Sequence, residues 1–367
     1  MALSVLIAGG GTGGHLYPGI AVARELMARV AGARVTFVGT AAGIEARVVP
    51  REGFELDVIR SAGLKGKSLE SVARGVGLLP MSGLDAWQVI TRRGPSVVVG
   101  VGGYSSGPVV ALAAARGIPT LLMEQNAVPG LTNRMLAPVV KAAAVTYDEA
   151  LRFFGSKAFV SGNPVRPEFF AGEGAHDSQG LPPGAARVLV FGGSQGAHAI
   201  NVAMVEAAAR LADESPRVVV THQTGERDLA MVRDGYQRAG LEARVEPFLY
   251  AMDREMKSAD VIVSRAGATT LAELTAAGRP SILIPLPTAT DDHQRKNAEA
   301  LVRQGAAHMV EQRALTGDRL AAEILGLARD EERRRAMSQA ARALARPDAA
   351  RVIVDRIIDL AGRGSRP

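Results

Sequence analysis

Cysteine is absent from all 367 residues, which excludes disulfides, thiol nucleophiles and cysteine-ligated metals. A reducing compartment is compatible with that absence. No apolar run approaches the ~20 residues needed to cross a bilayer. Met1 leads into a strand pattern without a basic segment before an apolar stretch, so no signal peptide is expected. These absences predict a cytosolic chain. Aromatic residues are 4% of the total and tryptophan occurs once, at Trp87. Acidic residues are in deficit in one half only. Residues 1–163 hold 16 basic and 10 acidic side chains, whereas residues 164–367 hold 27 of each. The whole net charge of +6 therefore lies in the first half, which is expected to meet something acidic.

What remains is ordinary globular material, 47% hydrophobic and 22% charged, at a length that suggests two domains. Continuous apolar runs (LSVLIA, RVTFVG, SVVVGV, TLLM and AAAVT, then RVLVFG, RVVVTH, DVIVS and SILIPL) alternate with helical patterns. That pattern predicts an α/β class built of parallel sheets covered on both faces. A stretch rich in glycine, proline and polar residues, SGNPVRPEFFAGEGAHDSQGLPPGAAR, reads as the linker. VLIAGGGTGGH and VLVFGGSQGAH align without a gap, placing His15 against His198. The repeat predicts two Rossmann-like, doubly wound domains facing across a cleft, residues 1–163 and 164–344. An amphipathic helix over about 345–363, with Pro347 near its first turn, is free to pack on either and is assigned to the first.

Each domain opens with a glycine loop after its first strand, a position where backbone amides and a helix start can hold a phosphate or a sugar oxygen. Gly9, Gly11 and Gly14 satisfy G-x-G-x-x-G, but the dinucleotide reading requires an acid at the tip of the second strand, and none occurs before Glu45. The P-loop reading fails because His15 and Leu16 replace its Lys and Ser/Thr. Further loops follow strands at GVGGYSSGP, MEQNAVPGLTNR and SRAGATTLAE.

Taken in order, GGGTGGHxYP, GGYxSGP, EQNxxxGxxNR, GNPVR, GGSQGA, SRAGAxTxAE and PLPTATDDHQRKNAEAL resemble the MurG family over about Ile7 to Leu301. The resemblance implies the GT-B fold. It also implies inverting transfer of N-acetylglucosamine from its UDP conjugate to the 4-hydroxyl of undecaprenyl-diphospho-N-acetylmuramoyl-pentapeptide. The implied partners are those two substrates and the cytoplasmic face of the inner membrane, with no cofactor, no metal and no nucleic acid. Two alternatives are a UDP-N-acetylglucosamine epimerase of the same fold and a non-catalytic nucleotide-sugar binder.

The resemblance implies donor contacts at Thr12, Gly13, Gly14, Asn126, Arg166, Ser194, Gln195, Leu249, Ala268, Thr269, Thr270, Glu273 and Gln294. It implies acceptor contacts at Gly11, His15, Gly103, Tyr104, Glu124 and Asn133, with His15 and Glu124 at the catalytic step. An imidazole suits proton removal from a hydroxyl, although a helix-start histidine can equally bond a neighbouring carbonyl. Thr270-Leu-Ala-Glu273 reads either as a capping box or as a carboxylate for ribose hydroxyls. Asp291 and Asp292 are read as helix caps, His198 as incidental, and Met123 stands where the family usually has histidine. The absence of an Asp-x-Asp motif leaves leaving-group charge to backbone amides and Arg166.

Residues 60–95 carry Arg60, Lys65, Lys67, Arg74, Arg92 and Arg93 against only Glu70 and Asp85. Leu69, Val72, Val76, Leu79, Met81 and Trp87 are interleaved with them. The Leu69–Leu79 stretch is read as membrane-facing and Trp87 as core-facing.

Overall fold

The computed structural model describes residues 3–61, 78–170, 184–193 and 195–364. The chain divides into two compact units, residues 1–165 with 346–367, and residues 166–345.

Among the described residues, the first unit is built on a seven-stranded parallel sheet in the order β3-β2-β1-β4-β5-β6-β7. The strands are β1 (Ser4–Gly9), β2 (Arg34–Gly39), β3 (Glu55–Val58), β4 (Val97–Gly102), β5 (Thr120–Glu124), β6 (Ala142–Val145) and β7 (Ala158–Val160). Helices α1 (Gly13–Arg29), α2 (Glu45–Arg51), α3 (Leu79–Arg93), α4 (Ser106–Ala115) and α5 (Leu131–Leu136) lie between them. Every second residue of a strand faces the same way, and here both faces are covered. Val5, Ile7, Val97 and Val99 pack with α1, while Leu6, Ala8 and Val98 pack with Ala86, Val89 and Ile90 of α3. This explains why the central strands read as unbroken apolar runs.

The C-terminal helix Ala349–Gly364 belongs to this first unit and starts two residues after Pro347. Ile353, Val354, Ile357 and Leu360 line one stripe at helical spacing and are buried with Leu16, Ile20 and Leu26. The exposed Arg29–Asp355 pair at 2.7 Å adds little beside that burial. Ile357→Ala is expected to destabilise the first unit by about 2–5 kcal/mol, seen as a lower denaturant midpoint. An unchanged midpoint would mean that the helix is dispensable.

The second unit carries a six-stranded parallel sheet ordered β10-β9-β8-β11-β12-β13. Its strands are β8 (Ala186–Phe191), β9 (Val218–Gln223), β10 (Ala243–Glu246), β11 (Val261–Ser264), β12 (Ser281–Leu283) and β13 (His308–Met309). The helices are α6 (His198–Asp213), α7 (Leu229–Ala239), α8 (Met252–Ser258), α9 (Ala268–Ala277), α10 (His293–Arg303), α11 (Gly317–Arg329) and α12 (Glu331–Leu344). In both sheets the strand order reverses beside the first strand, between β1 and β4 and between β8 and β11. Open α/β sheets bind ligands at the carboxyl ends of strands at such a reversal.

Candidate active site

In the first unit the reversal brings the loops after β1 and β4 into contact. The Gly10 amide donates to the Gly102 carbonyl at 3.3 Å. A Cβ at Gly9 would strike Gly102, and one at Gly103 would strike Gly10, so only glycine permits this approach. Thr12 is the N-cap of α1 in extended conformation, without a side-chain cap, and Gly13 and Gly14 are its first residues. Tyr104 is partly exposed, and its ring stands within 4 Å of where a Gly11 side chain would begin.

His15 follows in the first turn of α1. Its Nδ1 lies 3.2 Å from Gln125 Oε1, and Gln125 Nε2 donates to the Val101 carbonyl at 3.1 Å. The Val101 carbonyl requires the amide nitrogen at that end of Gln125, so its oxygen faces the ring. Nδ1 therefore carries the hydrogen and Nε2 keeps its lone pair. Gln125, 2% exposed, is an orienting residue to which the sequence assigned no role beyond the polar cluster after an apolar strand. Its adjacency to Glu124 and Asn126 was the available signal.

Glu124 and Asn133 are joined in one buried network. Glu124 is 3% exposed and Asn133 4%. Glu124 Oε1 accepts from the Asn126 amide at 2.9 Å and from Asn126 Nδ2 at 3.1 Å. Its Oε2 accepts from the Gly130 amide at 3.1 Å and from Asn133 Nδ2 at 2.8 Å. Four donors from its own loop enclose this carboxylate, which braces residues 124–133. Asn133 Nδ2 also donates to the Met123 carbonyl at 3.1 Å. Met123 itself is core, packed with Val101 and Leu121.

In the second unit the loop Gly192–Ala197 precedes α6, with Gln195 exposed; Ser194 lies outside the described residues. Here too glycines close the packing, because a Cβ at Gly196 would strike Thr224 and one at Gly225 would strike Gln195. A polar network stands behind the loop. His198 Nδ1 meets Asp228 Oδ2 at 2.9 Å, and Asn201 Nδ2 donates to Asp228 at 2.9 Å and to the Thr224 carbonyl at 3.0 Å. Asn201 Oδ1 meets His222 Nε2 at 3.0 Å, and His222 Nδ1 meets the Tyr236 hydroxyl at 2.7 Å. Burial pushes His222 down to about 3, so it stays neutral. His198 thus ties the end of the glycine loop to the loop after β9, a task its reading as incidental did not include. The buried Leu249 donates its amide to Gln223 Oε1 at 2.8 Å, between the exposed rings of Phe248 and Tyr250.

The capping-box reading of Thr270 and Glu273 is overturned. Helix α9 starts at Ala268 with Gly267 as N-cap, so Thr270 and Glu273 both lie inside it. Glu273 accepts no hydrogen bond from the described residues. Burial pushes its carboxyl up to about 7, against the pull of the Arg166 charge. Arg166 is exposed and lies over the Phe169 ring at 5.1 Å. Gln294 Oε1 accepts from the Leu286 amide at 3.0 Å. Asp292 occupies the N-cap of α10 but makes no side-chain cap and pairs with Arg295. Asp291 lies one residue outside that cap. The sequence reading also missed Arg265, whose desolvated guanidinium has its pKa lowered by burial and donates to the carbonyls of Ile284 and Pro285. Its position directly after a buried strand in SRAG was the signal. Among the described residues no cluster of three or more His, Asp or Glu suits a metal ion.

On the outer surface of the first unit, Trp87 is 49% exposed with the Arg116 guanidinium 4.6 Å over its ring, so it is not core. It shares one face of α3 with the exposed Met81 and Leu84. Lys65, Lys67, Leu69, Arg74, Val72 and Val76 lie outside the described residues. Among the described residues of this stretch, the basic side chains at 60, 92 and 93 are all paired. Arg92 and Arg93 pair with Asp57, Arg93 also with Glu55, and Arg60 with Asp85. Burial alone would raise the Asp57 carboxyl, yet hydrogen bonds from Arg93 and Arg92 hold it below its usual range.

Residues 5–145 match the glycosyltransferase family 28 N-terminal domain and residues 187–353 match its C-terminal domain. The chain is 49% identical over 366 residues to the UDP-N-acetylglucosamine–N-acetylmuramyl-(pentapeptide) pyrophosphoryl-undecaprenol N-acetylglucosamine transferase of Anaeromyxobacter dehalogenans (strain 2CP-C), covering 98% of this chain and 94% of that one. A crystal structure of Acinetobacter baumannii MurG superposes with TM-score 0.80 at 30% identity, covering 97% of this chain and 99% of that one. A UDP-GlcNAc 2-epimerase from Neisseria meningitidis, solved bound to UDP-GlcNAc, shares the fold alone, with TM-score 0.68 at 13% identity over 98% and 100% of the two chains.

Proposed function

Because the chain belongs to the MurG family within glycosyltransferase family 28, we propose that it transfers N-acetylglucosamine from UDP-N-acetylglucosamine to undecaprenyl-diphospho-N-acetylmuramoyl-pentapeptide. The observation that carries the chemistry is His15, held by Gln125 with Nε2 free at the carboxyl edge of the first sheet. In this reading Nε2 takes the proton of the acceptor 4-hydroxyl as its oxygen attacks the anomeric carbon. The bond from that carbon to UDP breaks, its electron pair stays on the diphosphate, and the configuration inverts. The second unit receives UDP. The amides opening α9 and the Arg166 guanidinium meet the diphosphate, and Glu273 accepts from the ribose. Gln125 and Glu124 act as positioning residues on this account.

Among the described residues no helix is long and apolar enough to cross a membrane. We place the enzyme peripherally, on the cytoplasmic membrane surface where a lipid-linked acceptor is met. The half-exposed Met81, Leu84 and Trp87 on one face of α3 support contact through the first unit.

UDP release from UDP-N-acetylglucosamine, measured with and without the lipid-linked acceptor in vesicles, tests the reading. Release that depends on the acceptor is expected. An altered free sugar without acceptor would indicate an epimerase, and binding without turnover would leave a nucleotide-sugar binder.

A further inference from the structure

Glu45 is the first residue of α2 and is fully buried. It belongs to none of the motifs singled out in the sequence, where it counted only as an acid too late for a dinucleotide site. Its Oε2 accepts from the Gly11 amide at 2.8 Å. Its Oε1 accepts from the Thr40 amide at 2.8 Å and the Thr40 hydroxyl at 3.0 Å. A Cβ at Gly10, Gly39 or Gly43 would collide with this carboxyl group. Three glycines, one after β1, one ending β2 and one in the loop that follows it, therefore close around one side chain. Among the described residues no lysine, arginine or histidine pairs with it, so its charge rests on these dipoles alone. Burying a carboxylate costs several kcal/mol unless such bonds compensate. A side chain kept at that cost on the inner wall of a ligand loop has a consequence for the ligand.

A glycine loop opening a helix offers its amides to a phosphate or to a sugar oxygen. Here the Gly11 amide is already taken by an internal anion, and a second anion brought to the same turn would face a like charge in a poorly screened setting. A hydroxyl carries no such penalty. The same bond ties Gly11 to the second strand's loop, and Thr12, Gly13 and His15 follow within one turn of chain.

We propose that Glu45 is a positioning and specificity-determining residue. It fixes the turn that presents His15, and it commits the Gly9–Gly14 loop to a neutral sugar hydroxyl and away from the acceptor's diphosphate. This rests on the transferase reading above for what the loop receives.

Inorganic pyrophosphate is the probe. In the ¹⁵N-labelled wild-type protein, the Gly11 amide resonance is expected not to move on titration, while those of Gly192, Gly193 and Gly196 in the second unit move and saturate. A saturable shift at Gly11 in the wild type would overturn the proposal. Glu45→Gln keeps the shape but sets an NH2 against a backbone N–H. It is expected to lower kcat by ~10²-fold, as a small misplacement of a catalytic group does, with KM for the donor unchanged and Gly11 now responding to pyrophosphate. Folded Glu45→Gln with kcat within a few-fold of wild type would remove the positioning role. The wild-type titration needs neither a variant nor turnover. Its outcome is therefore separate from that of the acceptor-dependence assay, on which the transferase reading stands.

Discussion

His15→Ala is expected to lower kcat by ~10²–10⁴-fold, the range typical of a positioned proton acceptor, while leaving KM for UDP-N-acetylglucosamine nearly unchanged. The split follows from the architecture. His15 belongs to the first unit, whereas the proposed UDP contacts Arg166, Gln195, Glu273 and Gln294 belong to the second. Gln125→Leu should give a smaller loss, because the imidazole stays but its tautomer is no longer set by the 3.2 Å bond to Nδ1. Steady-state kinetics with the lipid-linked acceptor decides the matter. Turnover surviving within a few-fold in His15→Ala would transfer the proton-acceptor role to another group.

The second large effect is a pH-dependent donor affinity that Glu273→Gln abolishes. Burial holds the Glu273 carboxyl at about 7, above its ordinary 4.5. For a carboxyl raised on folding, the sign is opposite to that of a salt-bridged acid. The unfolded chain ionises first, so the free protein loses stability as pH climbs from about 4.5 towards 7, by up to about 3 kcal/mol. In the proposed donor complex, ribose hydroxyls donate to the ionised form and so pull the proton off. Affinity for UDP-N-acetylglucosamine should therefore rise up to tenfold per pH unit below about 7 and level off above it. Calorimetric titration from about pH 5.5 to 8.5 reads this directly. Glu273→Gln should bind weakly with a flat profile and resist denaturant better than wild type above about pH 7. Parallel pH profiles in the two proteins would detach Glu273 from the ribose.

The strands that sequence patterning identified are the interior ones, and the four it missed are the sheet edges. These are β3 and β7 in one sheet and β10 and β13 in the other. An interior strand buries both faces and must be apolar throughout, as SVVVGV is. An edge strand such as Glu55–Val58 keeps only Asp57 buried, and there only because Arg92 and Arg93 neutralise it. The site shows the same division. Loops announced by glycine and histidine could be read, because few other demands put those residues after a strand. The groups that fix them could not. Gln125 and Glu45 act through partners distant in sequence, His15 and Gly11 respectively, and nothing local marks such a pairing. The capping-box pattern at Thr270 misled because Gly267 starts the helix earlier, and a motif records spacing without saying where the first turn begins.

The return of the C-terminal helix to the first unit sets a schedule for synthesis. When Val165 has left the ribosome, the face of the first sheet that receives α1 still lacks Ile353, Val354, Ile357 and Leu360. The whole of 166–345 must be translated before they arrive, which at ~5–20 residues per second takes roughly 10–40 s. During that interval the nascent amino-terminal half presents an uncovered apolar stripe while the second unit, contiguous in sequence, can fold as it emerges. A message truncated after residue 345 would yield one finished unit tethered to one that aggregates, so loss of the last helix should be read first in the soluble fraction and only then in activity.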